Sequence, residues 1–259
     1  MAKVTPIKTS TAVAKAKVNL PVDINAQMAA EVAAIQSRIS APSGDRITAT
    51  QQKTFKLPNG QEVDTIEAIV VDFSAANMYY AAAYDRNNIT PPDCFALGLE
   101  PAVLTPSDSA PDKQAESCAG CWANQFGSSG KGKACTNTRL LALLPTDADA
   151  ETPMMVLKVS PTGLRAFDGH VSSVVRSYSM PVRGVVTEIS FSPDQEYATM
   201  RFRAIGPAPK DLVLLAQSRK DEAQTRLLTE PDVSAAAVVA APKSRKPAAG
   251  KKPAVAGRR

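Results

Sequence analysis

Val63-Asp-Thr-Ile-Glu-Ala-Ile-Val-Val-Asp-Phe-Ser74 is the stretch on which the fold turns. It is β-branched and apolar enough to be a strand in the middle of a sheet rather than at its rim. Upstream, residues 46–57 read as extended chain, and Pro58-Asn59-Gly60 reads as a hairpin turn because Asn-Gly tolerates positive φ. Downstream come Tyr79, Tyr80 and Tyr84, then a segment from Asp85 to about Asn137 with little strand or helix pattern. A structureless loop of that length inside a domain requires something else to order it. Beyond it, residues 139–144 and 154–160 look like strands. Residues 161–176 look like a helix with Leu164, Phe167, Val171, Val174 and Val175 on one face. Residues 184–191 and 197–205 read as a hairpin through Ser192-Pro193-Asp194, and residues 209–228 as a last helix. Ahead of the sheet, Asp23 is placed to cap a helix to about Ile39, with Ile24, Met28, Val32, Ile35 and Ile39 along one side. The expected class is α+β, mainly antiparallel β: an OB-like barrel with a loop inserted at about 85–137 and helices flanking it. That domain spans residues 21–228, between disordered basic segments at 1–20 and 229–259.

Charge and composition narrow the function classes. Hydrophobic residues make up 44% and charged residues 21% of the 259, ordinary values for a protein with a real core. No apolar run approaches the ~18 residues a membrane helix needs, so no membrane partner is expected. The lysine-dotted N-terminus has no apolar stretch of the kind a secretory signal carries. The net charge of +5 is unevenly spread. Residues 242–259 hold seven basic residues and no acid, and residues 1–17 hold four lysines and no acid. The other nineteen basic residues face twenty-five acids, leaving the middle of the chain at −6. Basic tails suit a polyanionic partner. An acidic middle restricts any nucleic-acid groove to a local basic stripe.

All four cysteines fall within one stretch: Cys94, the Cys118-Ala-Gly-Cys121 knuckle, and Cys135. Zinc takes four tetrahedral ligands in a closed structural site, and four thiolates are present to order the long loop around Zn2+. An iron–sulfur cluster is the alternative for four cysteines, and a redox C-x-x-C would sit at a strand-to-helix junction rather than in a polar loop. His170, the only histidine, lies in a predicted helix and reads as a surface or packing residue. A catalytic metal would need an open position with a nearby acid or base, and no H-E-x-x-H or H-x-E pattern exists. Asp64, Glu67 and Asp72 lie near one strand, but they read as solvent-facing charges, so the chain is expected not to be an enzyme.

Between Cys121 and Cys135 runs a glycine–lysine loop with Trp122, Phe126, Lys131 and Lys133. Glycines bring backbone N–H groups close to a ligand, so such a loop can meet phosphates. Ala134 after Lys133 breaks the Walker A spacing and argues against ATP. Tyr79, Tyr80, Tyr84, Trp122 and Phe126 are candidate stacking groups in a chain with only 5% aromatics. Arg139, Arg201 and Arg203 are the favoured basic candidates; Arg201 and Arg203 alternate on a predicted strand and so share a face.

The block from Pro92-Asp93-Cys94-Phe95 through Cys118-x-x-Cys121-Trp122-x-Asn124-x-Phe126-Gly127-Ser128 to Gly130-Lys131-Gly132-Lys133-Ala134-Cys135-x-Asn137-x-Arg139 resembles tailed-phage proteins regarded as single-stranded-DNA-binding proteins. The resemblance covers roughly residues 46–206, with the cysteine and GKGKAC block as its specific part. It implies an OB-type core carrying a four-cysteine zinc loop, and a non-catalytic single-strand binder in phage DNA replication or recombination, in the cytoplasm of the infected bacterial host. The partner expected is single-stranded DNA, with RNA as the alternative strand and replication proteins as further partners. Many such phage proteins end in an acidic tail that recruits replication enzymes, whereas this chain ends in a basic one. The competing expectation is a zinc-loop factor that docks on a polymerase or another phage or host protein, which the acidic middle favours.

Overall fold

The computed structural model describes residues 45–83, 85 and 89–233. The expected helix over 23–39, the basic segment 1–20, Tyr84 and residues 234–259 of the expected basic C-terminal segment lie outside them, whereas residues 229–233 of that segment are described, with Glu230 hydrogen-bonded to Ser107 and Ser109. The chain enters through β1 (Arg46–Ala49), β2 (Phe55–Lys56) and β3 (Glu62–Val63), then runs the 14-residue β4 (Ile66–Tyr79). β5 (Cys94–Gly98), β6 (Cys135–Pro145) and β7 (Met155–Val159) follow, then helix α1 (Leu164–Tyr178). The hairpin of β8 (Val185–Phe191) and β9 (Met200–Pro207) leads into helices α2 (Lys210–Ser218) and α3 (Lys220–Leu227). The sheet order is β3-β2-β1-β7-β6-β4-β8-β9, antiparallel except where β1 meets β7. The class is therefore α+β, built on one mostly antiparallel sheet that curls into a half-barrel.

β4 is central, as its composition requires. One edge pairs with β6 along almost its whole length; the other pairs with β8 at Ile66–Ala68 and with β5 at Ala75–Tyr79. Its side chains divide between two apolar layers. Ile66, Ala68 and Val70 join Leu141, Leu143, Leu157, Ile189 and Phe167 of α1 on the inner face of the curl. Ile69 and Val71 join Leu140, Ala142 and Leu144 on the other face, beneath Leu212 and Ala216 of α2 and Ala223 and Leu227 of α3. Period-2 alternation lets consecutive apolar residues serve both layers, and the register shift between Val70 and Asp72 changes the phase, so that Val71 lies in the outer layer and Phe73, two residues on, packs against the inner one. The two ends of the curl meet through side chains. Phe55 of β2 stacks on Phe191 of β8 with ring centroids 4.4 Å apart, and Lys53 Nζ donates to the Gln195 carbonyl at 2.7 Å.

Several expectations need adjusting. The extended run over 46–57 breaks at a turn, where Thr54 N–H bonds the Thr50 hydroxyl and Lys53 takes φ 62°. The Asn-Gly turn forms as expected: Gly60 sits at φ 83° and the Asn59 carboxamide accepts the Gln61 N–H. The central strand runs on to Tyr79, because Ala75–Tyr79 find partners on both sides. The long loop is interrupted by β5, which no period-2 pattern announced. The final helix is two helices, broken at Arg219 (φ −101°, ψ 13°), whose guanidinium turns to Glu222 and the Thr152 carbonyl. No helix among the described residues is long and apolar enough to cross a membrane.

Candidate functional site

The far half of β4 carries the site. Tyr79 lies opposite Cys94 on β5 and opposite Cys135 on β6, so cross-strand register brings two cysteines 41 positions apart to one end of the sheet. Two residues earlier, Asn77 faces Ala96 and Asn137. The other two cysteines arrive on the connecting loop, where Cys118 N–H bonds the Leu104 carbonyl at 3.0 Å. Asn124 secures the knuckle: its side-chain amide donates to the Cys118 carbonyl at 2.7 Å and its backbone N–H to the Cys121 carbonyl at 3.1 Å.

All four thiols are 7–8% exposed, and all are unpaired by disulfides. They line one void of about 10 Å3, together with Asn77, Tyr79 and Phe95, among others. That is room for a single water-sized sphere. Burial pushes the Cys94 and Cys118 thiols up from their ordinary value, with their cysteine neighbours adding to the effect. Cys135 is pushed up to about 12, first by burial and then by Cys118, Cys121 and Cys94. Mutual repulsion of this kind places the four sulfurs in one electrostatic neighbourhood, where a bound cation would reverse the sign of the effect. Among the described residues, no three thiol, imidazole or carboxylate groups stand assembled as a ready ligand set. The donor type, the donor number and the size of the void nevertheless fit a four-thiolate ion.

A polar ladder backs the sulfurs. Asn77 hydrogen-bonds the Cys118 side chain. Asn137 donates to the Asn77 carbonyl oxygen at 2.7 Å. Lys133 Nζ donates to Asn137 Oδ1 at 3.0 Å and Asn124 Oδ1 at 3.1 Å. Groups behind the ligands commonly fix their orientation and tune a metal. Asn77, Asn124 and Asn137 had no assigned role in the sequence reading. The only hint was that Asn124 and Asn137 stand in the cysteine block that carries the resemblance.

The candidate nucleic-acid residues separate into groups. Phe126 is 80% exposed at the tip of the knuckle, and Trp122 and Tyr80 are each 42% exposed. The Trp122 ring stands edge-on to Tyr79 at 5.6 Å, and its Nε1–H donates to Gln114 at 3.2 Å. Lys131 is exposed at the tip. Lys133 is held by the two asparagines. Arg139 pairs with Asp168 of α1 at 3.3 Å, its side chain 13% exposed. Arg201 and Arg203 share the outward face of β9, but Arg203 is held by Glu188 at 2.5 and 3.0 Å. Through Glu188 they lie beside Glu67, twelve residues up β4 from Tyr79. That is about 40 Å of strand at ~3.3 Å per residue, so these two arginines and the cysteine loop are separate surfaces.

The glycines of the loop serve the turn rather than a phosphate cradle. Gly127 and Gly130 take φ 92° and 61°. The Gly127 and Gly132 N–H groups are spent on the Gly132 and Ser129 carbonyls at 2.8 and 3.0 Å. His170 is a packing residue: it is buried, its Nε2 lies 3.1 Å from Thr187 Oγ1, and its ring stacks on Phe202. The three acids near the central strand are dispersed. Asp72 accepts from Gln224, Glu67 faces Glu188, and Asp64 is exposed ahead of β4.

Comparison with known proteins leaves the reading to the residues themselves: no family model matches the chain, and no curated protein or solved structure matches it.

Proposed function

We propose that this chain is a non-catalytic single-stranded-DNA-binding protein of the tailed-phage kind it resembles, acting in DNA replication or recombination in the infected bacterial cytoplasm. Its curled sheet is an OB-like barrel closed by Phe55 and Phe191 instead of by ladder hydrogen bonds. Cys94, Cys118, Cys121 and Cys135 hold one structural Zn2+, which fixes the loop that meets the strand. The observation that carries the reading is Phe126, 80% exposed on a hydrogen-bonded knuckle beside exposed Trp122 and Lys131. In a chain so poor in aromatics, two large rings exposed on a loop that also carries an exposed lysine suit unstacked bases and a phosphate backbone.

The test is fluorescence anisotropy of a labelled oligo-dT at low and moderate salt, with zinc measured on the same sample. Tight binding that weakens steeply with salt, at one zinc per chain, supports the reading; binding without salt dependence, or no binding, refutes it. One specific observation favours the second reading, a docking factor for a polymerase or other protein. The loop also carries Asp93, Asp108, Asp112 and Glu116, and Asp93 and Asp112 act on Tyr79 closely enough to raise its pKa, after burial. One zinc per chain, no oligonucleotide binding and capture of one protein partner would select it.

A further inference from the structure

The far end of β4 separates an acidic side from a basic one. On the β5 side, Asp93 N–H bonds the Tyr79 carbonyl at 2.9 Å, and Asp112 N–H bonds the Asp93 carbonyl at 2.8 Å. The Asp112 carboxylate accepts from Gln114 at 2.8 Å, and Gln114 in turn accepts the Trp122 ring N–H. On the β6 side the charge changes sign. Cys135, Asn137 and Arg139 lie in unbroken register with Tyr79, Asn77 and Ala75, so they alternate along one face of the sheet. It is the inner face, because Leu141 and Leu143, next in the same alternation, pack there with Phe167 of α1. Lys133 Nζ is bonded to Asn137, whose neighbour on that face is Arg139. Beyond Arg139 comes the first turn of α1, with exposed Arg165 three residues ahead of Asp168. Cations therefore follow one another from the glycine–lysine loop along β6 to α1, while carboxylates flank the same loop across β4.

Asp168 is the exception on the basic side. It meets Arg139 Nη2 through one carboxylate oxygen at 3.3 Å, and its side chain is 52% exposed. Among the described residues this is the guanidinium's single hydrogen bond, which leaves most of its five N–H donors unspent. A one-point ion pair half in solvent is weakly held. A guanidinium fork binds a phosphate through two oxygens at once, so a phosphate is the better partner for the same donors.

We infer that Asp168 occupies the place of a backbone phosphate: the DNA strand leaves the exposed rings over the β6 side, away from Asp93 and Asp112, and one of its phosphates displaces Asp168 from Arg139. The inference rests on the proposed DNA-binding function and adds the direction of the strand and the carboxylate that competes with it. The experiment compares four full-length proteins by oligo-dT anisotropy across a salt series. They are the natural chain, Arg139→Gln, Asp168→Asn, and Arg201→Gln, whose arginine lies on the separate β9 surface. Arg139→Gln should lower the log–log salt slope by about 0.7, the share of one phosphate contact, and weaken binding at low salt about five- to tenfold. Asp168→Asn should tighten binding about two- to fivefold, because the competing carboxylate is gone. Arg201→Gln should bind as the natural chain does. Breaking an ion pair that only supports the fold would move Arg139→Gln and Asp168→Asn in the same direction, so their opposite signs carry the test. An Asp168→Asn protein that binds no tighter than the natural chain overturns the exchange, whether or not Arg139→Gln folds. An unchanged salt slope in Arg139→Gln, or an equal loss of affinity in Arg201→Gln, overturns the path along β6. Failure of the natural chain itself to bind removes the DNA-binding function and this inference together, which separates that failure from the others.

Discussion

Phe126→Ala separates binding from folding. The ring is 80% exposed, so only about a fifth of it is in contact with protein. Full burial of such a side chain contributes roughly 1.5–3 kcal/mol, which leaves about 0.3–0.6 kcal/mol at stake in stability. For a domain of this size that moves Tm by about 1–2 °C. Stacking on one base contributes roughly 1–3 kcal/mol. At ~1.4 kcal/mol per decade, removal should weaken oligo-dT binding by about 5- to 150-fold. Because the ring has no charge, the salt slope should not change. Trp122→Ala is the instructive contrast. Its ring packs against Tyr79 and its N–H is bonded to Gln114, so stability and affinity should fall together. The assay is anisotropy at fixed salt beside a thermal melt. If Phe126→Ala binds within about twofold of the natural chain while Lys131→Ala is weakened, base stacking is not what the exposed ring does.

Cys135→Ser, or chelation of the natural chain, should drop zinc from one per chain to near none and shift the emission of Trp122, the only tryptophan, to the red. The far-ultraviolet sheet signal should persist, because both large apolar layers lie elsewhere; unchanged emission and metal content would refute the zinc site. Phe55→Ala should cost about 3–5 kcal/mol, since a fully buried ring is lost and Phe191 is left without its stacking partner. A double-mutant cycle between Phe55 and Phe191 that returns no coupling would show that the ends of the curl do not depend on each other. Burial holds the His170 pKa below its ordinary 6.5. The unfolded chain therefore takes up the proton first. Stability should fall by up to ~1.4 kcal/mol per pH unit as pH drops below about 6.5, and this contribution should be flat above it. Denaturant melts of His170→Gln should lose that slope; an identical pH profile would refute it.

The sheet was legible from the sequence where a strand's own residues decide it. The apolar run over Ile66–Phe73, the Asn59-Gly60 turn and the β8–β9 hairpin are local signals, and the structure carries each of them. What could not be read is pairing supplied from a distance. β5 is a strand because Ala75–Tyr79 offers it an edge, and its five residues Cys94–Gly98 show no alternation of their own. The last helix breaks at Arg219, whose guanidinium bonds the Thr152 carbonyl, a partner 67 residues away that no local pattern shows. At the site, cysteine spacing indicated the thiols but not their support, since Asn77 reaches Asn137 across 60 residues. Arg139 and Arg203 looked like free cations in sequence because Asp168 and Glu188, their partners, are distant along the chain.

The two halves of β4 are held by different means, and this links the metal reading to the DNA reading. From Ile66 to Phe73 the strand is fixed by two apolar layers. From Ala75 to Tyr79 the apolar groups are small clusters built around the cysteines themselves, with Cys118 in one and Cys121 and Cys135 in the other. Beyond Ala76, Asn77 and Tyr79 face the thiols and Met78 alone turns to the outer layer. Little hydrophobic burial is available to hold this end, and small clusters of that kind open locally at low cost. A four-thiolate ion would supply the missing restraint and would fix Trp122 and Phe126 only while bound. Metal loss should therefore abolish oligonucleotide binding while the melt of the remaining sheet stays nearly unchanged. A metal-free protein that binds with full affinity would instead mean that the knuckle is held by its own hydrogen bonds, from Ser128 Oγ to the Ala123 carbonyl and from Ala134 N–H to Ser128.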